Sequence, residues 1–222
     1  MSRVSDNINL ILKEINITHK NSFFKQFPVP KLVAVSKKQD DYRVVQALEM
    51  GQKFFGENRV QEAEQRWTQK IKNYENIELR LIGPLQTNKV KQALNLFDII
   101  ETVDREKLAK AIANQYDNNV KTNKFYIQIN TGSEIQKSGI EPSESDSFIK
   151  YCKEDLKLPI VGLMCIPPFE EEPSMHFALL NKIAKRNNLK ELSMGMSNDY
   201  KEAIKFGATS VRVGSLVFGS RE

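Results

Sequence analysis

Lys37 is the residue of this chain whose setting most suggests covalent chemistry. It follows the run Leu32-Val33-Ala34-Val35-Ser36, and if that run is a strand, the two-residue period sets Lys37 on the side of Val33 and Val35. A lysine drawn out of water there has its ammonium form disfavoured, and the neutral amine that results is the nucleophile Schiff-base formation requires. A solvated strand-end lysine, beside an equally exposed Lys38, accounts for the same residues.

Two other segments are built from small residues. Ser193-Met194-Gly195-Met196-Ser197-Asn198 follows one apolar run, and Gly214-Ser215, with Gly219 close behind, ends another. Backbone N–H groups in such loops can approach a phosphate, helped by hydroxyl donors and a helix N-terminus. Ordinary turns use the same residues. Arg212 interrupts the pattern Val211-Arg212-Val213. If the valines pack outward, the guanidinium points inward and needs an acceptor. A buried ion pair with a carboxylate such as Glu57 or Glu101 meets that need as well as the ring nitrogen of a bound heteroaromatic ligand does. In the latter case a permanently charged arginine keeps that nitrogen unprotonated.

Asn58, in Gly56-Glu57-Asn58-Arg59, stands where a helix begins and suits a cap as well as a ligand contact. The segment Ile82-Gly83-Pro84-Leu85-Gln86-Thr87-Asn88-Lys89 also consists of capping-type residues. His19 and His176 have no partner spacing for zinc or a catalytic triad, and neither HExxH nor GxSxG occurs. Cys152 and Cys165 have no CxxC spacing and read as small core residues of a protein from a reducing compartment.

These side chains meet only if the runs that carry them share one sheet. Eight short apolar, β-branched runs are present: residues 32–36, 53–56, 79–83, 98–103, 124–130, 159–166, 191–195 and 209–215. Helical periodicity separates them. Val60, Ala63, Trp67 and Ile71 recur after the second run; after the fourth, Asp104 is expected to cap a helix carrying Leu108 and Ile112. Eight βα units without a Pro/Gly/Ser-rich linker predict an α/β fold, a single (β/α)₈ TIM-type barrel over residues 1–222. Seven residues follow the last run, too few for an eighth outer helix, whereas Val4, Ile8, Ile11 and Ile15 predict an extra N-terminal helix over 4–17 that covers the barrel there. In such barrels ligands bind at the carboxyl ends of the strands, and phosphate is often held by the loops after strands seven and eight.

With 222 residues and 40% hydrophobic content the chain can bury a large core. It has no apolar run of membrane-spanning length and no signal peptide, which predicts a cytoplasmic protein without membrane partners. The net charge of +5 is spread over helical faces alternating Lys with Asp and Glu. That pattern speaks for a solvated surface and against a nucleic-acid partner.

Read together, LVAVSK (32–37), FGENRVQEA (55–63), IGPLQTNKVK (82–91), QINTGSEIQKSGI (128–140), GLMCIPP (162–168), LSMGMSNDYKEAI (192–204) and VRVGSLVFGSRE (211–222) resemble a known family. It comprises the pyridoxal 5′-phosphate (PLP) binding, PLP-homeostasis proteins related to the N-terminal barrel domain of alanine racemase. The resemblance implies that Lys37 holds PLP as a Schiff base, and that Ser197, Gly214 and Ser215 cradle its phosphate with the backbone around Met196. It also implies that Arg212 faces the pyridine nitrogen and that Asn58 lies beside the ring. Pro84 departs from the pattern, many relatives having histidine there, so no role of that histidine carries over.

Racemisation needs a second acid or base, which in alanine racemase comes through a C-terminal β-domain and a partner subunit. This sequence stops at Glu222, directly after the eighth run, and a non-catalytic role is therefore expected. That role is storing, buffering or delivering PLP, with PLP-dependent apo-enzymes as recipients and a monomer as the working state. A minimal PLP-dependent racemase or decarboxylase is the alternative, and a partner-binding barrel without cofactor is a third. Lys137 is a candidate second amine for cofactor release, against the default of a solvated loop lysine.

Overall fold

The structure is a computed structural model that describes residues 3–117, 119–134 and 136–219. Eight strands, β1 (Lys31–Val35), β2 (Phe54–Glu57), β3 (Glu78–Leu81), β4 (Ile99–Val103), β5 (Lys124–Ile129), β6 (Ile160–Cys165), β7 (Glu191–Ser193) and β8 (Ser210–Val213), pair in chain order into a closed barrel. Every pairing is parallel, including the β8–β1 seam, where Val33 lies opposite Arg212. Each strand coincides with one of the eight predicted runs, β4 to β8 lying inside theirs and β1, β2 and β3 each reaching one residue beyond. Gly195, at φ +90°, and Gly214, which precedes a helical turn, divert the backbone just beyond β7 and β8.

The helices are α1 (Arg3–Lys20), α2 (Asp41–Glu49), α3 (Val60–Asn73), α4 (Val90–Leu96), α5 (Glu106–Ala113), α6 (Ser145–Lys150), α7 (Pro173–Arg186), α8 (Tyr200–Lys205) and α9 (Ser215–Phe218). One π-helical turn, Tyr151–Asp155, extends α6. The expected N-terminal helix is present and longer than predicted, with Val4, Ile8, Ile11 and Ile15 buried. It packs on α2, α8 and α9 and so covers the flank of β8, where α9 supplies only one turn. Asp104 does not cap α5: Arg105, extended at φ −166°, takes the N-cap position, and the Asp104 carboxylate pairs with the Arg105 guanidinium instead.

Strand alternation divides the buried residues into two sets. Outward-facing Ala34, Phe55, Leu79, Leu81, Ile100, Phe125, Leu163 and Val211 join the helices in one large core. Cys152 and Cys165 are fully buried, free thiols within that core, and burial pushes each thiol up to about 12. The barrel interior holds a small separate cluster of Ile99, Tyr126 and Met164, surrounded by polar groups. Arg80 donates to Glu101 Oε1 at 2.9 Å and to Ser210 Oγ at 3.1 Å. Tyr126 donates to Glu191 Oε2 at 2.5 Å. Burial alone would lower the Arg80 guanidinium, yet the facing Glu101 and Glu78 carboxylates hold it above its ordinary value. Among the described residues no helix is long and apolar enough to cross a membrane.

Candidate functional site

The carboxyl ends of the strands form a mouth, and the turn after β1 places Lys37 there. Ser36 accepts the Gln39 N–H at 3.2 Å, closing a four-residue turn whose two central residues are Lys37 and Lys38. Lys37 is half-buried and Lys38 exposed. Lys38 adopts φ +55°, a left-handed conformation that costs a residue with a Cβ about 1 kcal/mol. The turn is braced from α3. Arg66 Nη1 donates to the Ser36 carbonyl, and Arg66 Nη2 to the Gln39 carbonyl at 2.5 Å.

Glu57, at the end of β2, balances that arginine from a position with no solvent exposure. Its Oε1 accepts from Arg66 Nη1 at 3.0 Å, Ser36 Oγ at 2.7 Å and Trp67 Nε1 at 3.0 Å, while its buried Oε2 has no partner. Glu57 shares the outward face of β2 with Phe55, whose ring packs 4.7 Å from that of Trp67. It is thus directed away from the barrel interior and forms no ion pair with Arg212.

Arg212, on β8, is buried in the interior. Its Nη1 donates to Ser193 Oγ at 2.7 Å and its Nη2 to the Cys165 carbonyl at 2.8 Å. Glu101 is also not its ion-pair partner. Ser193 intervenes, donating to Glu101 Oε2 at 2.6 Å, and Glu101 pairs directly with Arg80. Among the described residues no carboxylate forms an ion pair with Arg212. The guanidinium is therefore oriented by neutral acceptors.

The loops after β7 and β8 meet: Ser215 Oγ donates to Ser197 Oγ at 3.0 Å. Gly214 lies against β1 at the seam, where an added Cβ would stand 3.3 Å from the Val35 carbonyl. At Gly195 a Cβ would come within 2.6 Å of Ala203 Cβ, so this loop can follow its path beside α8 only without a side chain. The Met196 N–H donates to Asp199 Oδ1 at 2.5 Å and is thus engaged within its own loop. Burial raises the Asp199 carboxyl above its ordinary value, opposed by the Met196 N–H and by the charge of Arg212.

Asn58 follows β2 and does not cap α3, whose N-cap position belongs to Arg59. Its Oδ1 is buried and unpartnered. The backbone of Asn58 is pressed against Gly83, where an added Cβ would stand 2.3 Å from the Asn58 carbonyl oxygen. Pro84 is exposed beside it. An orphaned polar atom at the end of β2, such as Asn58 Oδ1, is a group a polar ligand would satisfy. Lys137 forms an ion pair with Glu134 at 2.5 Å.

Sequence reasoning placed Lys37, Asn58 and both small-residue loops at strand ends and Arg212 inside the eighth strand, and the fold brings those ends to one mouth with Arg212 beneath them. It missed Arg66 and Ser193 as the intermediary to Glu101. Arg66 carried no signal beyond its place on α3, since its acceptors lie 30 and 27 residues away. Among the described residues no group of His, Cys, Asp or Glu is arranged to hold a metal ion.

Comparison with known proteins identifies the family of the chain. The family model described as alanine racemase, N-terminal domain, matches residues 16–222. The pyridoxal phosphate homeostasis protein of Haemophilus influenzae is 36% identical over 232 residues, covering 98% of this chain and 96% of that one. PipY of Synechococcus elongatus, solved without PLP, superposes with a TM-score of 0.85 at 28% identity, over 97% of this chain and all (100%) of its own. The same protein with PLP bound gives a TM-score of 0.78 at 27% identity, with the same coverage of 97% and 100%. Alanine racemase of Corynebacterium glutamicum, 16% identical, shares the fold at a TM-score of 0.67 over 99% of this chain and 60% of its own.

Proposed function

The chain belongs to the family of the alanine racemase N-terminal domain and the pyridoxal phosphate homeostasis proteins, and from that premise we propose that it binds PLP at the barrel mouth, as a Schiff base on Lys37, and serves intracellular PLP homeostasis. One observation carries the assignment. Lys37 follows β1 and the Ser197–Ser215 hydroxyl pair follows β7 and β8, on strands that adjoin at the barrel seam, with buried Arg212 beneath them on β8.

The residues at the mouth fit the group. When bound, PLP would supply an aldehyde open to attack by a neutral lysine amine. Lys37 provides the amine. Ser197 and Ser215 donate to phosphate oxygens, and Gly214 gives that loop its close backbone approach. Asn58, whose Oδ1 lacks a partner within the protein, lies beside the ring. Arg212 would face the pyridine nitrogen, and a guanidinium there would donate a hydrogen bond and leave that nitrogen unprotonated.

This last property would make the bound ring a weak electron sink. Electron withdrawal by PLP is strongest when a carboxylate keeps the ring nitrogen protonated, and Arg212 supplies the opposite. The chain is accordingly read as one cytoplasmic barrel, residues 1–222, that works as a monomer and stores, buffers or hands PLP to PLP-dependent apo-enzymes. Borohydride reduction of the purified, PLP-loaded protein followed by peptide mapping tests the assignment. A pyridoxyl group on Lys37 is expected, and a labelled site elsewhere refutes it. Substrate Cα–H exchange in deuterium oxide tests the role: robust turnover that disappears in Lys37→Ala identifies an enzyme instead.

A further inference from the structure

Lys37 is delivered to the mouth by a turn that is gripped from a neighbouring element. One hydrogen bond closes it, from the Gln39 N–H to the Ser36 carbonyl at 3.2 Å, and its third residue, Lys38, sits at φ +55° where glycine is the favoured residue. What restrains this turn is a side chain from another βα unit. Arg66 reaches from α3 to donate to the carbonyls of both Ser36 and Gln39, the two residues that bracket Lys37 and Lys38.

We propose that Arg66 is a positioning residue for Lys37: by gripping both ends of the turn it presets the backbone from which the ε-amine reaches a carbonyl ligand. The proposal rests on the assignment of Lys37 as the PLP lysine. Its second support is the way Arg66 is itself held. Glu57, without solvent exposure, spends Oε1 on Arg66, Ser36 and Trp67 while its buried Oε2 stays unpartnered. A buried carboxylate with an idle oxygen is poor stabilising chemistry compared with apolar packing. It serves instead to fix one arginine in one direction, and through Ser36 Oγ it also grips the turn directly. Asp41 Oδ1, 3.9 Å from Arg66 Nε, adds a weaker restraint from the start of α2.

A fixed amine reacts as though it were concentrated at its target, and freeing the turn dilutes it. The effect falls on condensation and leaves the phosphate cradle after β7 and β8 intact. Two ligands separate these contributions. PLP condenses with Lys37, whereas pyridoxine 5′-phosphate carries an alcohol in place of the aldehyde and binds through ring and phosphate alone. Arg66→Met keeps an unbranched stem as far as the position of Nε and removes the guanidinium donors. In that variant we expect PLP affinity to fall about tenfold or more, with slower borohydride trapping on Lys37, and pyridoxine 5′-phosphate affinity to stay within about twofold of wild type. Unchanged PLP affinity overturns the proposal. So does an equal loss for both ligands, because that pattern marks a merely structural residue. Should Arg66→Met fail to fold, Arg66→Lys decides by the same comparison: one ammonium cannot reproduce the fork that spans both carbonyls, so the selective loss of PLP affinity is expected there too. Wild-type protein serves as the control. If it traps no PLP on Lys37, the assignment of the site fails, an outcome distinct from failure of the Arg66 role.

Discussion

Ser193 stands between Arg212 and Glu101. Its hydroxyl accepts from Arg212 Nη1 at 2.7 Å and donates to Glu101 Oε2 at 2.6 Å. The single proton of the hydroxyl is thereby assigned, and a direct contact between opposite charges becomes a relay. Glu101 in turn holds Arg80, so one carboxylate serves two guanidinium groups in a barrel interior. Ser193→Ala leaves Arg212 Nη1 and Glu101 Oε2 without their common partner. Unfolding in urea is expected to show a loss of about 1–3 kcal/mol. A variant as stable as wild type would mean that water or a direct Arg212–Glu101 contact replaces the hydroxyl.

Lys37→Ala is expected to abolish covalent PLP while leaving the fold intact. The side chain belongs to a turn at the mouth and not to the core. Mass spectrometry after borohydride treatment reads the first effect and circular dichroism the second. A large loss of helical signal would show that Lys37 supports the fold.

Replacing Ser197 and Ser215 together by alanine removes the paired hydroxyls of the β7 and β8 loops. Two lost hydrogen bonds to a charged phosphate predict a rise in the PLP dissociation constant of about tenfold or more. An unchanged constant, measured by equilibrium dialysis, would place the phosphate elsewhere.

Gly83→Ala tests the packing that sets Asn58. The new methyl would stand 2.3 Å from the Asn58 carbonyl oxygen and 2.7 Å from its Cα, so the backbone at the end of β2 must move. A destabilisation of about 1–3 kcal/mol is expected, together with weaker PLP retention. Retention equal to wild type would separate Asn58 from the cofactor ring.

The attachment of α1 should depend on pH. Glu14 accepts from Lys201 Nζ at 2.7 Å and from the Tyr200 hydroxyl, and these contacts hold its carboxyl below the ordinary 4.5. A carboxyl depressed in the folded state adds stability that is complete above its unfolded value and is lost as pH falls through its folded value. Glu14→Gln is therefore expected to melt below wild type near neutral pH, with the difference closing below pH 4.5. A gap that persists in acid would mean that the carboxylate charge is not what matters.

The barrel was legible because its signals are local. Eight β-branched runs and the spacing of Val4, Ile8, Ile11 and Ile15 depend only on near neighbours, and each reappears as a strand or as the buried face of α1. Strand parity also carried more than was drawn from it. Glu57 shares a face with Phe55 and so turns to the helices, which already excludes it as a partner for an inward Arg212. The contacts that orient the candidate site were not legible, because they join residues far apart in the chain. Ser193 is 92 residues from Glu101, and Arg66 is 30 from Ser36. Asp104 misled for a different reason: an acidic residue before a helix ordinarily caps it, but here the chain stays extended for one more residue and Arg105 takes that position.

The barrel closes between its first strand and its last. Gly214 rests on the Val35 carbonyl, and α1, the earliest helix made, covers the flank of β8, the latest strand. A ribosome delivers Lys37 long before Ser215, so on the proposed assignment a nascent chain carries the amine without the hydroxyls for phosphate, and cofactor loading would follow synthesis. Any lesion that opens the β8–β1 seam would cost ligand retention before it costs the helical signal, which makes PLP release a more sensitive report of damage to this protein than unfolding itself.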